Sequence, residues 1–267
     1  MRSVRFPTRA PLRILVKGSS PANWISFMGG PPTDFTYPRV LERELLSSGR
    51  NAVVRNLAVT SQQVKTGIRT WENEVFPWSP DVVVLNYGLF ETVHLFVPQP
   101  LERHAHSYLG RPGVVRESYR KYALRPAWKM LVTVQQRADA RVPASSFRRR
   151  ARRFADDLER LVTRVVYIGN PLVLLPEIPP PGAQWATWFP GIGARIEMVN
   201  AAMAEVVARV DLDNVRLFDT RAALAPLQAS GHDVVPDGGH YTPEAHDAIG
   251  RAMALVIGPW CDEHVPV

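Results

Sequence analysis

Short runs of aliphatic residues alternate along the chain with segments of helical periodicity, and this alternation constrains the fold more than any other feature. Several runs are almost continuously apolar, as strands buried on both faces of a parallel sheet are. Strands that alternate with helices predict a parallel sheet covered by helices on both faces. The predicted strands are Leu12–Lys17, Ala52–Leu57, Asp81–Tyr87, Thr163–Ile168 and Val215–Asp219.

The helical segments carry recognisable start and stop signals. One lies between Pro38 and Gly49, and another opens with Thr242 as N-cap followed by a proline. The predicted helices are Arg39–Ser48, Arg148–Val162, Ile196–Val210 and Thr242–Ile257. Together these elements predict a single three-layer α/β/α domain over residues 1–267, with a flavodoxin-like, five-stranded parallel sheet.

Two segments depart from this alternation. Asn170–Pro190 is rich in proline and glycine and is predicted to be a long loop. Leu95–Ala144 separates the third and fourth predicted strands, and we expect a partly helical insertion that forms a lid or cap over the site. Its expected apolar anchors are Tyr108, Tyr119, Tyr122, Trp128 and Met130.

Composition excludes several classes of protein. Cys261 is the single cysteine, so neither a disulfide framework nor a cysteine-based zinc site can form. No apolar run approaches the ~18 residues of a membrane span, and the apolar run beginning at Leu12 is too short for a signal peptide. We expect a cytoplasmic protein without metal or cofactor, in which His94, His104 and His106 are surface residues.

The positive charge is concentrated in one region. The formal net charge is +7, and Arg103–Arg153 contains fourteen lysines and arginines against the two acids Glu117 and Asp139. Such a region favours an anionic partner, whether nucleic acid, a membrane surface, a charged substrate or a carrier protein. A solvated helical face explains it equally well. No nucleic-acid-binding motif accompanies the charge, so nucleic acid is the least favoured partner.

Two short motifs carry the groups of a nucleophilic site. Gly18-Ser19-Ser20 follows the first predicted strand, where a serine on a tight turn can act as a nucleophile. Asp237-Gly238-Gly239-His240 precedes the last predicted helix and offers an acid and a base. Taken alone, the first motif is typical of an ordinary turn, and the second of a turn with a surface histidine.

Together and in this order, the motifs resemble the SGNH (GDSL-type) hydrolase superfamily. Gly18-Ser19-Ser20 is similar to its Gly-Asp-Ser block, and Asp237–His240 to its Asp-x-x-His block. Asn56–Ser61 resembles the second block, Asn-x-Gly-x-x-Gly, and Leu85–Glu91 falls where the third block, Gly-x-Asn-Asp, belongs. The resemblance implies Ser20 as nucleophile, His240 as base and Asp237 as its orienting acid.

The same resemblance implies the groups that stabilise an oxyanion. Backbone N–H groups of Ser20 and Ser61 would face it, and Ser19, Asn86 and Gly88 would lie at the same site. The chain departs from the family where Phe90 replaces the third-block asparagine, a side-chain donor that phenylalanine cannot imitate. Asn86 and the Ser61 hydroxyl are the candidate replacements.

The predicted function is serine-dependent hydrolysis of an acyl ester of a carbohydrate or natural-product-like substrate. Two alternatives stay open: an O-acyltransferase that uses the same acyl-enzyme, and a degenerate member that binds a sugar or a carrier protein without catalysis. The substrate is expected to be a small-molecule or glycan ester, with an anionic substrate or carrier contacting the basic insertion.

Overall fold

The computed structural model describes residues 10–23, 36–93 and 113–264. In this part of the chain, five parallel strands form one sheet in the order β2-β1-β3-β4-β5. This is the flavodoxin-like order, so the predicted fold class is confirmed. The strands are β1 (Leu12–Gly18), β2 (Ala52–Asn56), β3 (Val82–Asn86), β4 (Leu172–Pro176) and β5 (Val215–Phe218).

The helices of the described residues connect and cover these strands. They are α1 (Tyr37–Ser47), α2 (Val64–Glu74), α3 (Leu89–Val93), α4 (Val114–Tyr119), α5 (Arg125–Asp139), α6 (Arg148–Val166), α7 (Ala183–Trp188), α8 (Ile192–Val210), α9 (Thr220–Ala229) and α10 (Pro243–His264). None of them has the length and apolar composition needed to cross a bilayer.

Two apolar layers hold the helices on the sheet. Leu15 and Val83 face the layer that α2, α6 and α8 complete, whereas Ile14 and Val84 face the layer completed by α1 and α10. Successive strand residues point to opposite faces, so strands that are apolar throughout can serve both layers. The central strand β3 is buried at every position.

The fourth predicted strand was wrong. Thr163–Ile168 belongs to the end of α6 and the turn after it, where Thr163 is exposed and Val165 is buried. The true fourth strand, β4, is fully buried and lies inside Asn170–Pro190, which we predicted to be a loop. The strand was not predicted because prolines lie at both of its ends. Pro171 precedes the strand and Pro176 is its last residue, where the missing N–H of proline removes few hydrogen bonds from the sheet.

The four predicted helices exist with shifted ends, whereas α2, α3, α7 and α9 were not predicted, and α7 lies in the segment predicted to be a loop. The last helix begins at Pro243, as its proline signal indicates, and Thr242 Oγ1 accepts the N–H of Ala245 at 3.2 Å. The helix predicted from Ile196 begins four residues earlier, at Ile192.

The insertion is partly helical, as expected, but most of its predicted anchors do not serve as anchors. Tyr119, Tyr122 and Met130 are exposed by 40, 71 and 62 %. Tyr108 and the Trp128 side chain lie outside the described residues. The insertion contacts the body of the domain through Val132, which packs against the apolar core, and through polar groups near the end of α5. Its function as a lid stays a prediction.

Candidate active site

Ser20 lies at the carboxyl edge of the sheet, directly after β1. Gly18 has φ +150°, and a β-carbon there would lie 2.0 Å from the carbonyl oxygen of Asn86. Only glycine therefore lets the end of β1 approach the end of β3 so closely. The Ser19 N–H donates to the same carbonyl at 2.9 Å. These contacts fix Ser20 where functional groups of parallel sheets gather.

Ser20, His240 and Asp237 form one hydrogen-bonded row. His240 Nε2 lies 2.8 Å from Ser20 Oγ, and His240 Nδ1 lies 2.5 Å from Asp237 Oδ2. The serine comes 220 positions before the histidine, so the fold itself brings them together. All three side chains are largely buried, and the row has the geometry of nucleophile, base and orienting acid.

The second carboxylate oxygen of Asp237 is held by its own loop. Asp237 Oδ1 accepts the N–H groups of Gly239 at 3.0 Å and His240 at 2.8 Å. Burial raises the pKa of Asp237, but the hydrogen bonds from His240 and Gly239 outweigh it and hold the pKa below its ordinary value. An ionised carboxylate can only accept, which favours the tautomer with the proton on His240 Nδ1, and in that tautomer Nε2 accepts from the Ser20 hydroxyl.

Trp185 supports this loop from outside. Gly238 has φ +99°, and a β-carbon there would lie 2.1 Å from Trp185 Cγ. One at Gly239 would lie 2.6 Å from Trp185 Cη2. At Gly182, just before α7, a β-carbon would lie 1.8 Å from the Val235 carbonyl oxygen. Three glycines thus make room for α7 and its indole against the loop that carries Asp237 and His240.

Two asparagines to which we had assigned no role join the Ser20 turn to the turn after β2. Asn56 Nδ2 donates to the Ala22 carbonyl at 2.9 Å and to Asn23 Oδ1 at 3.1 Å. Asn23 Nδ2 in turn donates to the Ala58 carbonyl at 2.9 Å. Asn56 is the first residue of the segment that resembles the second family block, whereas no sequence signal marked Asn23.

Lys17 was also missed. Its side chain is completely buried although it lies on β1 only three residues before Ser20. Its Nζ donates to Thr70 Oγ1 at 2.8 Å and forms an ion pair with Glu74. Burial lowers the pKa of Lys17, and Glu74 opposes that shift. The lysine ties α2 to β1 beneath the Ser20 turn.

The predicted oxyanion residues occupy different surroundings. Ser61 is partly exposed and has φ +63°, a left-handed conformation that favours glycine, the residue the family has there. Ser19 is buried, and its hydroxyl lies 3.4 Å from the Asn86 carbonyl oxygen, so it faces the sheet. Asn86 is also buried, and its Nδ2 has no hydrogen-bond partner among the described residues.

The N–H of Gly88 is engaged within its own turn, and the predicted place of Gly88 at the oxyanion site stays a prediction. Its N–H donates to Glu91 Oε2 at 3.1 Å, while Glu91 Oε1 accepts the N–H of Val64 at 2.9 Å. Glu91 therefore caps the start of α2 and closes the turn after β3. Burial raises the pKa of Glu91 to about 7. The glutamate joins the turns after β2 and β3 without reaching the Ser20 row.

His246 does not join the row. His246 is buried, and its Nδ1 accepts the Tyr37 N–H at 3.1 Å. Burial lowers the pKa of His246 to about 3, so it stays neutral. His94, His104 and His106 lie outside the described residues. In the described ranges, no group of three or more His, Cys, Asp or Glu side chains is placed to hold a metal ion.

A comparison of the sequence with protein-family models shows to which family the chain belongs. The model described as the GDSL-like Lipase/Acylhydrolase family matches residues 19–248, which include Ser20, Asp237 and His240. The chain belongs to the GDSL-like lipase/acylhydrolase family. The resemblance drawn from the sequence is thereby confirmed, and this GDSL-like chain is an esterase or acylhydrolase. No curated protein sequence matches it.

Solved structures agree with the GDSL-like fold. A lipase/acylhydrolase from Enterococcus faecalis aligns with TM-score 0.58 at 16 % identity and covers 93 % of this chain and 96 % of its own. The acetyl xylan esterase AlAXEase aligns with TM-score 0.57 at 14 % identity, covering 92 and 99 %. Est24, a carbohydrate acetylesterase from Sinorhizobium meliloti, gives 0.57 at 12 %, covering 93 and 99 %.

Proposed function

We propose that this GDSL-like enzyme hydrolyses an acyl ester of a carbohydrate through Ser20, His240 and Asp237. The observation that carries the proposal is the continuous row in which His240 Nε2 lies 2.8 Å from Ser20 Oγ and Nδ1 lies 2.5 Å from Asp237. Both distances are within hydrogen-bond reach in the absence of substrate, so the base is already aligned with the nucleophile.

The acylation step uses the whole row. Ser20 Oγ attacks the ester carbonyl carbon while His240 Nε2 takes the hydroxyl proton. The tetrahedral intermediate collapses when the ester C–O bond breaks, and the leaving alkoxide takes that proton from His240. Ionised Asp237 accepts from Nδ1–H throughout, so it holds the imidazole tautomer and stabilises the transient imidazolium.

Deacylation repeats the same proton transfers with water. His240 Nε2 removes a proton from a water molecule that attacks the acyl carbon. The bond between the acyl carbon and Ser20 Oγ then breaks, Ser20 Oγ takes the proton from His240, and the carboxylic acid leaves. No metal or cofactor participates in these steps.

We assign the oxyanion to backbone N–H groups of Ser20 and Ser61. Neither N–H has a hydrogen-bond acceptor among the described residues. The left-handed φ of Ser61 keeps a turn suited to glycine, and the pair Asn23–Asn56 locks that turn to the Ser20 turn. A fixed pair of N–H groups needs no reorganisation when the oxyanion forms, which is the basis of this kind of stabilisation.

The substrate class rests on the structural neighbours together with the site. Two of them are named for acetyl xylan and carbohydrate acetyl esters. An aromatic residue, Trp185, borders the loop of the acid and base here, and aromatic rings offer flat apolar surface next to a polar edge. We therefore favour a short acyl group on a sugar hydroxyl.

The test is the release of acetate from p-nitrophenyl acetate and from an acetylated xylo-oligosaccharide. We expect turnover of both by the wild type and a loss of at least ~10⁴-fold in kcat/KM for Ser20→Ala. Ser230→Ala, at an exposed serine after α9, serves as the control and keeps full activity.

The two alternatives predict other results in the same assay. Transfer of the acetyl group to an added sugar, without free acetate, would support the acyltransferase. Wild-type activity that Ser20→Ala retains would contradict the proposed function. No activity of the wild type, with sugar binding intact, would also contradict it and would favour the degenerate binding protein.

A further inference from the structure

The outward side of α5 and the turn before it carries a row of exposed apolar residues. Tyr122, Met130 and Val134 are exposed by 71, 62 and 53 %, and Pro126 between them is also exposed. Pro126, Met130 and Val134 are four residues apart on α5, so they follow one side of the helix. Tyr122 lies four residues before Pro126, in the π-helical turn Arg120–Leu124. The row spans about 20 Å at 1.5 Å per residue.

The opposite side of α5 is fixed to the domain, which determines how the row is presented. Asp139 is buried, pairs with Arg195 at 2.7 Å and accepts the Gly191 N–H at 2.7 Å. Gln135 Nε2 donates to the Val93 carbonyl. Because these contacts lie at the end of α5 and on its inner side, the helix cannot turn the apolar row inward without breaking a buried ion pair.

Cations border the apolar row. Lys121, Arg125 and Lys129 are exposed and also lie four residues apart, and Arg137 follows Val134 by less than a turn. Lys121 Nζ lies 5.1 Å from the centroid of the Tyr122 ring. The segment from Lys121 to Asp139 contains a single acid, Asp139, which is buried and paired with Arg195. The α5 row therefore presents apolar and positive groups together.

This pairing of groups restricts what can cover the row. A second copy of the same face would bring like charges together, which disfavours self-association. Nucleic acid would match the cations but would leave the Met130 and Val134 side chains without an apolar contact. An acidic protein would need a groove to receive side chains that project from the surface. A bilayer interface receives such side chains readily, because it is soft and binds lysine and arginine beside apolar residues.

We propose that the α5 row docks the enzyme on an anionic membrane surface. Met130 and Val134 enter the boundary between headgroups and acyl chains, Tyr122 lies at headgroup level, and Lys121, Arg125 and Lys129 contact lipid phosphates. The helix lies along the surface without crossing it. The inference does not depend on the proposed reaction, because none of these residues belongs to the Ser20 row.

The experiment is co-sedimentation of the full-length protein with vesicles of 30 % phosphatidylglycerol in phosphatidylcholine, and with pure phosphatidylcholine vesicles. We expect binding to the anionic vesicles that weakens with rising salt, and little binding to the neutral ones. Ser20→Ala should bind like the wild type, which separates docking from catalysis.

Matched variants test the row itself. Lys121→Glu with Arg125→Glu and Lys129→Glu should weaken binding by on the order of 100-fold, and Met130→Ser with Val134→Ser by roughly tenfold. The controls are Lys65→Glu with Arg69→Glu, exposed cations on α2, and Leu255→Ser, where the leucine is 78 % exposed. Circular dichroism checks that every variant folds.

Equal binding by the row variants and the controls would overturn the proposal, as would equal binding to neutral and anionic vesicles. Failure of the wild type to sediment with anionic vesicles would also overturn it. If the wild type then bound poly-L-glutamate through the same cations, the partner would be an acidic protein.

Discussion

The indole of Trp185 lies against the backbone of Gly238 so closely that a β-carbon at Gly238 would stand 2.1 Å from Trp185 Cγ. Gly238 is the residue after Asp237 in the loop that positions Asp237 and His240 beside Ser20. A side chain outside the hydrogen-bonded row thus fixes the loop that carries two of its members. The contact can be tested by substituting Trp185 and, separately, Gly238.

Trp185→Ala should lower kcat by roughly 100-fold, because the Asp237–His240 loop loses the surface that fixes it and small displacements at a reacting group are costly. Trp188→Ala is the matched control, since Trp188 lies on the same helix and is 42 % exposed. Steady-state kinetics with p-nitrophenyl acetate check the pair. Equal activity of the two variants, at a temperature where both are folded, would show that Trp185 only contributes stability.

Gly238→Ala should cost roughly 2–5 kcal/mol of unfolding free energy and most of the activity, because it combines a left-handed backbone with a clash. Gly231 also has a positive φ, +84°, but its added β-carbon would meet nothing within 4 Å. Gly231→Ala should therefore cost only about 1–2 kcal/mol and leave kcat/KM unchanged. Urea unfolding and kinetics of both variants separate backbone strain from the Trp185 contact. Similar losses in both would contradict the contact.

Ser61→Gly should raise the unfolding free energy by up to about 1 kcal/mol, because glycine accepts the left-handed φ without strain. Its kcat/KM should stay at the wild-type level, since the backbone N–H remains. Ser61→Ala keeps the N–H and removes the hydroxyl, so its kcat/KM should also be unchanged. A loss beyond about tenfold in both variants would identify the hydroxyl as the oxyanion donor in place of the N–H.

Glu91 should make the stability fall as the pH rises. Burial raises its pKa from 4.5 to about 7, so between these values the folded protein retains a proton that the unfolded chain releases. Its contribution to stability is complete below pH 4.5 and is lost progressively towards pH 7. Urea unfolding between these limits should show the decline.

Glu91→Gln should abolish this part of the pH dependence. The variant should also be less stable in acid, because an amide has one oxygen and can accept from Val64 or Gly88, but its NH₂ group cannot accept from the other. Glu205→Gln is the control, since Glu205 is 68 % exposed. A pH profile that Glu91→Gln leaves unchanged would show that another group causes it.

Much of the fold could be predicted from local pattern. The strands β1 and β3 are almost continuously apolar, and the Gly49 and Thr242 signals marked helix ends to within two residues. β4 could not be found this way, because its prolines read as a loop while the end of α6 has a β-branched run. A short aliphatic run is compatible with strand or helix, and tertiary burial decides between them.

The candidate site, like the fold, could be predicted only in part. Ser20, Asp237 and His240 lie in short motifs whose order implied their meeting, and the structure places them within hydrogen-bond distance. The hydrogen bond from Gly88 N–H to Glu91 could not be predicted, because a sequence does not show which acceptor an N–H will find. The Trp185 contact required the docking of α7 on a distant loop, which no local pattern encodes.

The most direct test of the central claim is covalent labelling of the protein with a fluorophosphonate, followed by mass spectrometry of the peptides. If the row activates Ser20, the probe should phosphonylate Ser20 and no other serine. His240→Ala should lose the adduct, because no base remains to take the proton. Asp237→Asn should label much more slowly, since its amide no longer fixes the productive tautomer. An adduct on a different serine, or labelling of Ser20 that persists in His240→Ala, would contradict the account.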